Sequence, residues 1–91
     1  MNHNVNIEIY SGDYCPYCNR AKALLKQRGL PFIEYNVQAT PEKRDEMLKR
    51  SNGGRTIPQI FINNHHVGGC DDLYAIDKKG ELKSWLEKAP V

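Results

Sequence analysis

Cys15 and Cys18, separated by Pro16 and Tyr17, are the residues of this 91-residue chain whose type and spacing most plainly offer chemistry. They sit between a strand-like run, Val5 to Tyr10, and a helix-like run, Asn19 to Arg28. Two cysteines three apart can close a disulfide within one helical turn. A strand-to-helix junction also makes the two thiols unequal. Cys15 falls at the helix N-terminus, where unpaired backbone N–H groups and the macrodipole favour a thiolate. Cys18 falls one turn in, farther from solvent, and is expected to stay a thiol. Pro16 takes the first helical position, where a missing N–H costs nothing and the fixed φ suits the turn. The competing use of such a pair is half a zinc site, which needs a second pair of ligands. Only Cys70, His65 and His66 are available, and they lack metal-knuckle spacing, so redox chemistry is expected and no metal.

Two further constellations stand beside the cysteines in this reading. Thr56-Ile57-Pro58 precedes a strand, where a proline at the first residue is tolerated without purpose. A cis Ile57–Pro58 bond would instead turn the Ile57 N–H and C=O outward, as an edge with which an extended peptide-like substrate could pair. Gly68-Gly69-Cys70-Asp71-Asp72 combines a glycine turn with a helix N-terminus. Its free N–H groups would hold a carboxylate while Asp71 or Asp72 pairs with an ammonium, together recognising an α-amino acid terminus. Plain N-capping by Asp71 explains the motif equally well. Arg55, Arg20 and Lys22 are candidates to receive a second carboxylate and to lower the pKa of Cys15, unless each is a solvated surface charge. Tyr14 and Tyr17 flank the sulfurs as possible walls of the site. Leu24, Phe61 and Trp85 are assigned to the core. The three histidines, His3 among them, have no catalytic partner in sequence.

The elements that must position these residues follow from periodicity. Val5 to Tyr10 and Phe32 to Val37 read as strands, with a helix between them carrying Ala21, Leu24 and Leu25 on one face and stopped by Gly29 and Pro31. A strand, a helix and a strand in so short a span form a right-handed βαβ unit with parallel strands. Thr40, as N-cap, and Pro41 open a second helix that runs to about Arg50 and is so poor in apolar residues that it should lie on the surface. Gln59 to Ile62 and His65 to Gly68 form a hairpin across Asn63-Asn64. A third helix runs from Asp71 to about Asp77 and a last one from Glu81 to Lys88. The order βαβ–α–ββ–αα yields an α/β fold, a four-stranded mixed sheet flanked by helices, which is the thioredoxin-like architecture in small form. One domain spanning residues 1–91 is expected. A net charge of +2 with basic and acidic residues interleaved argues against nucleic acid as the partner. No apolar run approaches the about 18 residues of a membrane span, and the polar start Met1-Asn2-His3-Asn4 does not read as a signal peptide. Three cysteines, two of them in one motif, suit the cytoplasm rather than a secreted disulfide framework.

Cys15-Pro16-Tyr17-Cys18, Arg55-Thr56-Ile57-Pro58-Gln59-Ile60-Phe61-Ile62 and Gly68-Gly69-Cys70-Asp71-Asp72-Leu73, in this order, resemble a dithiol glutaredoxin, closest to the bacterial glutaredoxin 3 group. The resemblance runs from Val5 to about Leu86. It implies a glutathione-dependent thiol–disulfide oxidoreductase, with glutathione as reducing co-substrate and with glutathionylated and disulfide-containing proteins as partners, ribonucleotide reductase a candidate among them. It implies a monomer. It further implies a glutathione site formed by Tyr17, Arg55, Thr56, Ile57, Pro58, Gly69, Cys70, Asp71 and Asp72, in which the tripeptide pairs with Ile57 and its γ-glutamyl end sits at Cys70 to Asp72. Cys70 reads as a small turn residue, or as a third thiol open to a glutathione adduct or an intermolecular disulfide. Where many relatives carry a lysine for the glycyl carboxylate of glutathione, this chain has Gly12, and its Asn52-Gly53-Gly54 loop is a residue longer. Two rival functions keep the fold. One is a thioredoxin-like reductant served by a flavoprotein reductase, disfavoured by Pro16-Tyr17 and by the Gly68–Asp72 motif. The other is an iron–sulfur carrier built on Cys15 of two chains with two glutathiones, disfavoured by the stiff Pro16.

Overall fold

Branched apolar residues alternating with polar ones produce β1 (Ile7–Ser11), the strand from which the cysteine pair hangs in the computed structural model, which describes residues 5–89. His3 lies outside the described residues. The chain crosses over through α1 (Pro16–Gln27) and returns as β2 (Ile33–Asn36), parallel to β1, as a right-handed βαβ unit requires. After α2 (Pro41–Arg50), β3 (Gln59–Ile62) pairs antiparallel with β1, and β4 (His65–Gly68) pairs antiparallel with β3. The sheet order is β2-β1-β3-β4, the four-stranded mixed sheet of a thioredoxin-like α/β fold. Asn63 and Asn64, with φ of 51° and 68°, make the tight β3–β4 turn, a conformation asparagine tolerates. The last elements are α3 (Cys70–Lys78) and α4 (Leu82–Leu86).

All five residues of β1 are buried, because both faces of the sheet are covered. One face carries Ile7, Ile9, Ile60 and Ile62 against Ala21, Leu24 and Leu25 of α1 and Leu73 and Ile76 of α3. The other carries Tyr10 and Phe61 against Met47 and Val37. The helix expected to lie on the surface therefore covers a sheet face, with Met47 as its one buried side chain. The rest of that layer is polar. Glu8, only 7% exposed, accepts from Arg50 Nη2 at 2.9 Å, from Arg50 Nη1 at 3.1 Å and from the Tyr35 hydroxyl at 2.9 Å. Arg50 Nη1 also donates to the Tyr10 hydroxyl at 2.7 Å, its guanidinium lies 4.1 Å from the centre of the Phe61 ring, and Tyr10 in turn donates to Glu46. Burial pushes the Glu8 carboxyl up, but the bonds from Arg50 and Tyr35 outweigh it and hold the group below its ordinary range.

Helix ends follow the residue chemistry with three corrections. Gly29, at φ +69°, ends α1 in a Schellman motif, in which Leu30 N donates to Leu25 O at 2.9 Å and Gly29 N to Lys26 O at 3.0 Å. Thr40 does precede α2, but its hydroxyl makes no capping bond. The N-cap of α3 is Gly69, so the helix begins at Cys70 rather than Asp71. The final helix is five residues long, and Trp85, assigned to the core, is only partly buried at its rim.

Candidate active site

β1 ends at Ser11, four residues before the first sulfur, and α1 begins at Pro16 immediately after it. Cys15 is the N-cap of α1, in extended conformation with φ −115° and ψ 97°. Its sulfur accepts from the Cys18 N–H at 3.1 Å, so one of the orphan donors at the helix start already points at it. The first turn holds no acidic residue to oppose an anion there. Cys15 and Cys18 are joined in a disulfide, with their Cα atoms 5.2 Å apart. Cys18 is wholly buried and Cys15 partly exposed, the inequality that the junction predicted.

A cavity of about 330 Å³ opens at Tyr17, the residue before Cys18, although neither Cys15 nor Cys18 lines it. Tyr17 forms one wall, Thr56, Ile57 and Pro58 lie along a second, and Gly69, Cys70, Asp71 and Asp72 along a third. The Ile57–Pro58 peptide is cis. Neither the Ile57 N–H nor its C=O is hydrogen-bonded to another described residue, which leaves a free backbone edge facing a cavity. Pro58 O comes within 3.5 Å of where a Gly69 side chain would start, so β3 and the α3 N-terminus meet across the pocket. Asp72, not Asp71, provides the cap: its Oδ2 accepts from the Gly69 N–H at 2.9 Å. The same carboxylate lies over the place of a Cβ on Gly68, whose φ of +118° also demands glycine. Asp71 is exposed and its carboxylate is bound to no described residue. Cys70 is 4% exposed, and burial, only partly countered by the nearby Arg20, raises its thiol pKa.

Several side chains stand elsewhere than expected. Arg55 is exposed and does not line the cavity. Lys22 is ion-paired with Glu34 at 2.8 Å, and that bond, with a second from Ser11 Oγ at 2.5 Å, holds the Glu34 carboxyl below its usual range. Lys22 is thereby engaged away from the sulfurs. Arg20 lies over the rings of Tyr17 (5.8 Å) and Tyr74 (5.4 Å). Tyr14 is fully exposed and forms no wall. Gly12 has no space for a side chain as its neighbours lie: a Cβ would come within 2.8 Å of the Gln38 amide and of Ile57 Cδ1. The Gln38 carbonyl accepts from the Asp13 N–H at 2.9 Å, so Gln38 folds over the glycine.

Gly68, part of the expected glycine turn, also lines the cavity, as do Gln59 and His66, which sequence reasoning did not place there. Gln59 Nε2 donates to Thr56 O at 3.0 Å, so its Oε1 must accept, and His66 Nε2, at 2.6 Å, is the donor. The partner that His66 lacked in sequence is thus Gln59, seven residues away. No local pattern signals it, because the two side chains come together only when β4 pairs with β3. Among the described residues, no three His, Cys, Asp or Glu side chains are grouped as a metal site would need.

The model of the Glutaredoxin family matches residues 7–67. The chain belongs to the glutaredoxin family. It is 54% identical to glutaredoxin 3 of Escherichia coli (strain K12) over 82 residues, covering 90% of this chain and 98% of that one. Its fold superposes on the solution structure of glutaredoxin from Brucella melitensis with a TM-score of 0.80 at 52% identity, covering 94% and 92% of the two chains. The crystal structure of a buckwheat glutaredoxin–glutathione complex gives 0.80 at 29% identity, covering 92% and 78%. A glutaredoxin with a Cys15–Cys18 pair is a thiol–disulfide oxidoreductase. No described helix is long and apolar enough to cross a membrane.

Proposed function

We propose that this glutaredoxin is a cytoplasmic, glutathione-dependent enzyme that reduces protein–glutathione mixed disulfides with Cys15 alone and protein disulfides with Cys15 and Cys18 together. The observation that carries this reading is a partly exposed cysteine at a helix N-terminus, two residues from Tyr17 in the wall of a cavity bordered by the free backbone edge of Ile57. Glutathione is a γ-linked tripeptide. Its amide backbone can pair with Ile57 as a short added strand. Its α-amino acid end suits the N-terminus of α3 for the carboxylate and the unpartnered Asp71 for the ammonium. A glutathione complex exists for the buckwheat neighbour, which supports the assignment.

In the first step the Cys15 thiolate attacks the glutathione sulfur of the mixed disulfide. The Cys15–glutathione S–S bond forms as the old S–S bond breaks, and the released protein thiolate takes up a proton. A second glutathione thiolate then attacks the glutathione sulfur on Cys15, which leaves oxidised glutathione and the Cys15 thiolate. With a protein disulfide, Cys15 forms the mixed disulfide. The Cys18 thiolate then attacks the Cys15 sulfur, which releases the protein dithiol and leaves the Cys15–Cys18 disulfide. Two glutathione molecules reduce that disulfide and leave as oxidised glutathione. Exchange is fastest when the attacking thiol has a pKa near ambient pH, which the Cys18 N–H and the helix terminus favour at Cys15. Glutaredoxin potentials of roughly −200 to −230 mV lie near that of the glutathione pool, so the pool sets the direction of transfer.

Turnover of a glutathionylated peptide with glutathione, glutathione reductase and NADPH tests the reading. Wild type and Cys18→Ser are expected to turn over, Cys15→Ser to be inactive, and Cys18→Ser to lose protein-disulfide reduction. Full activity in Cys15→Ser would sink the mechanism. Turnover with thioredoxin reductase in place of glutathione would move the protein to the rival reductant reading.

A further inference from the structure

Four described residues other than glycine have a left-handed backbone: Asn52, Asn63, Asn64 and Tyr14, with φ of 59°, 51°, 68° and 54°. Asparagine tolerates this region. A bulky aromatic residue there is an outlier that calls for a cause. Packing is not the cause, since the Tyr14 side chain is 101% exposed. It makes no ring contact, hydrogen bond or cation–π contact with another described residue. The chain thus holds a tyrosine out in water, in an unfavourable backbone conformation, at the residue that directly precedes Cys15.

The location gives the side chain a use. Cys18 is wholly buried, so a second molecule can react only at Cys15 and must lie over the residues that adjoin it. On the cavity side the adjoining aromatic is Tyr17, and that cavity suits the small tripeptide. Tyr14 does not line the cavity, is fully exposed and directly precedes Cys15 in the chain. We propose that Tyr14 is a docking contact for the polypeptide half of protein mixed disulfides, and that it sets preference for protein over small-molecule substrates. Tyrosine suits the role because it presents a large amphipathic surface with only two side-chain torsions to order. Exposed aromatics of this kind carry much of the energy of the interfaces that use them. The proposal rests on the glutathione-dependent reading above.

The test compares two substrates in the assay with glutathione, glutathione reductase and NADPH: the mixed disulfide of glutathione with cysteine, and glutathionylated serum albumin. Tyr14→Gly removes the ring and relieves the backbone. It is expected to lower kcat/KM for albumin about tenfold, the scale of one interface hot spot, chiefly through KM. The small substrate should change by less than about twofold on the same reasoning, because its cysteine half is too small to cover the ring. Tyr14→Phe should restore albumin turnover, and the melting temperature of Tyr14→Gly should equal or exceed that of wild type. An unchanged ratio between the two substrates, an equal loss on both, or a lower melting temperature without a change in ratio would each overturn the docking role. Wild type inactive on both substrates would overturn the glutathione-dependent reading and this one with it. Wild type active on the small substrate, with the ratio unmoved, overturns the docking role alone.

Discussion

Gly12 and Gln38 form the least expected pairing next to the disulfide. The amide of Gln38 occupies the space into which a side chain at position 12 would grow, and its carbonyl is held by the Asp13 N–H. A residue with a Cβ at position 12 must therefore displace Gln38 or Ile57. Gly12→Ala is expected to cost about 1 kcal/mol in unfolding free energy, and clearly less in a Gln38→Ala background. A double-mutant cycle by urea denaturation measures the difference. Additive effects would mean that Ile57, rather than Gln38, is the obstacle. Cys70 makes a second point at this scale. It lines the cavity, but burial raises its thiol pKa, which disfavours the thiolate.

Among the elements, the two helices with polar N-termini divide their capping in a way that composition hides. Thr40 has the residue type of a cap and makes no capping bond, whereas Asp72, the third residue of α3, reaches back to the Gly69 N–H at 2.9 Å. Thr40→Ala is accordingly expected to cost less than about 0.5 kcal/mol, and Asp72→Ala about 1 kcal/mol, from a lost cap bond and a lost negative charge at a helix N-terminus. Thermal unfolding of the two variants gives the order. A larger loss for Thr40→Ala would show that its hydroxyl caps α2 in solution. α1 needs no such acceptor from a side-chain oxygen, since the sulfur of Cys15 accepts the Cys18 N–H at the N-cap position. The element that positions the reacting atom is thus capped by that atom.

For the whole molecule, carboxylates under α2 and beside α1 are held in ion pairs and hydrogen bonds. Glu8, Glu34, Glu46 and Asp77 all have carboxyl pKa values below their ordinary ones, through Arg50 and Tyr35, Lys22, Tyr10, and Arg28 respectively. A depressed folded pKa contributes stability that is present above the unfolded value, about 4, and is lost as pH falls through the folded value. The melting temperature should therefore hold near neutrality and fall below about pH 4. Arg50→Met leaves Glu8 buried without its main partner. At pH 7 it should cost about 2 kcal/mol, less than the roughly 3–5 of a fully buried pair, because 23% of the Arg50 side chain is exposed. The gap between wild type and Arg50→Met should narrow on acidification, as Glu8 becomes protonated in both. A gap that widens toward low pH would show that the pair does not hold Glu8 ionised.

The order of elements, the parallel β1–β2 pair, the hairpin at Asn63-Asn64 and the unequal cysteines could be read from the sequence alone, because each rests on local chemistry. A proline at N1, a glycine after a helix, alternation in a strand and a helix terminus beside a sulfur all act within a few residues. The cavity needed the tertiary structure, since Tyr17, Ile57 and Asp71 come from three segments that meet only when β3 inserts beside β1. So did the pairing of His66 with Gln59, the burial of Glu8 under Arg50, the engagement of Lys22 by Glu34 and the exposure of Tyr14. Those outcomes depend on strand register and on which helix covers which face, and they are long-range consequences of packing that no short stretch of residues encodes.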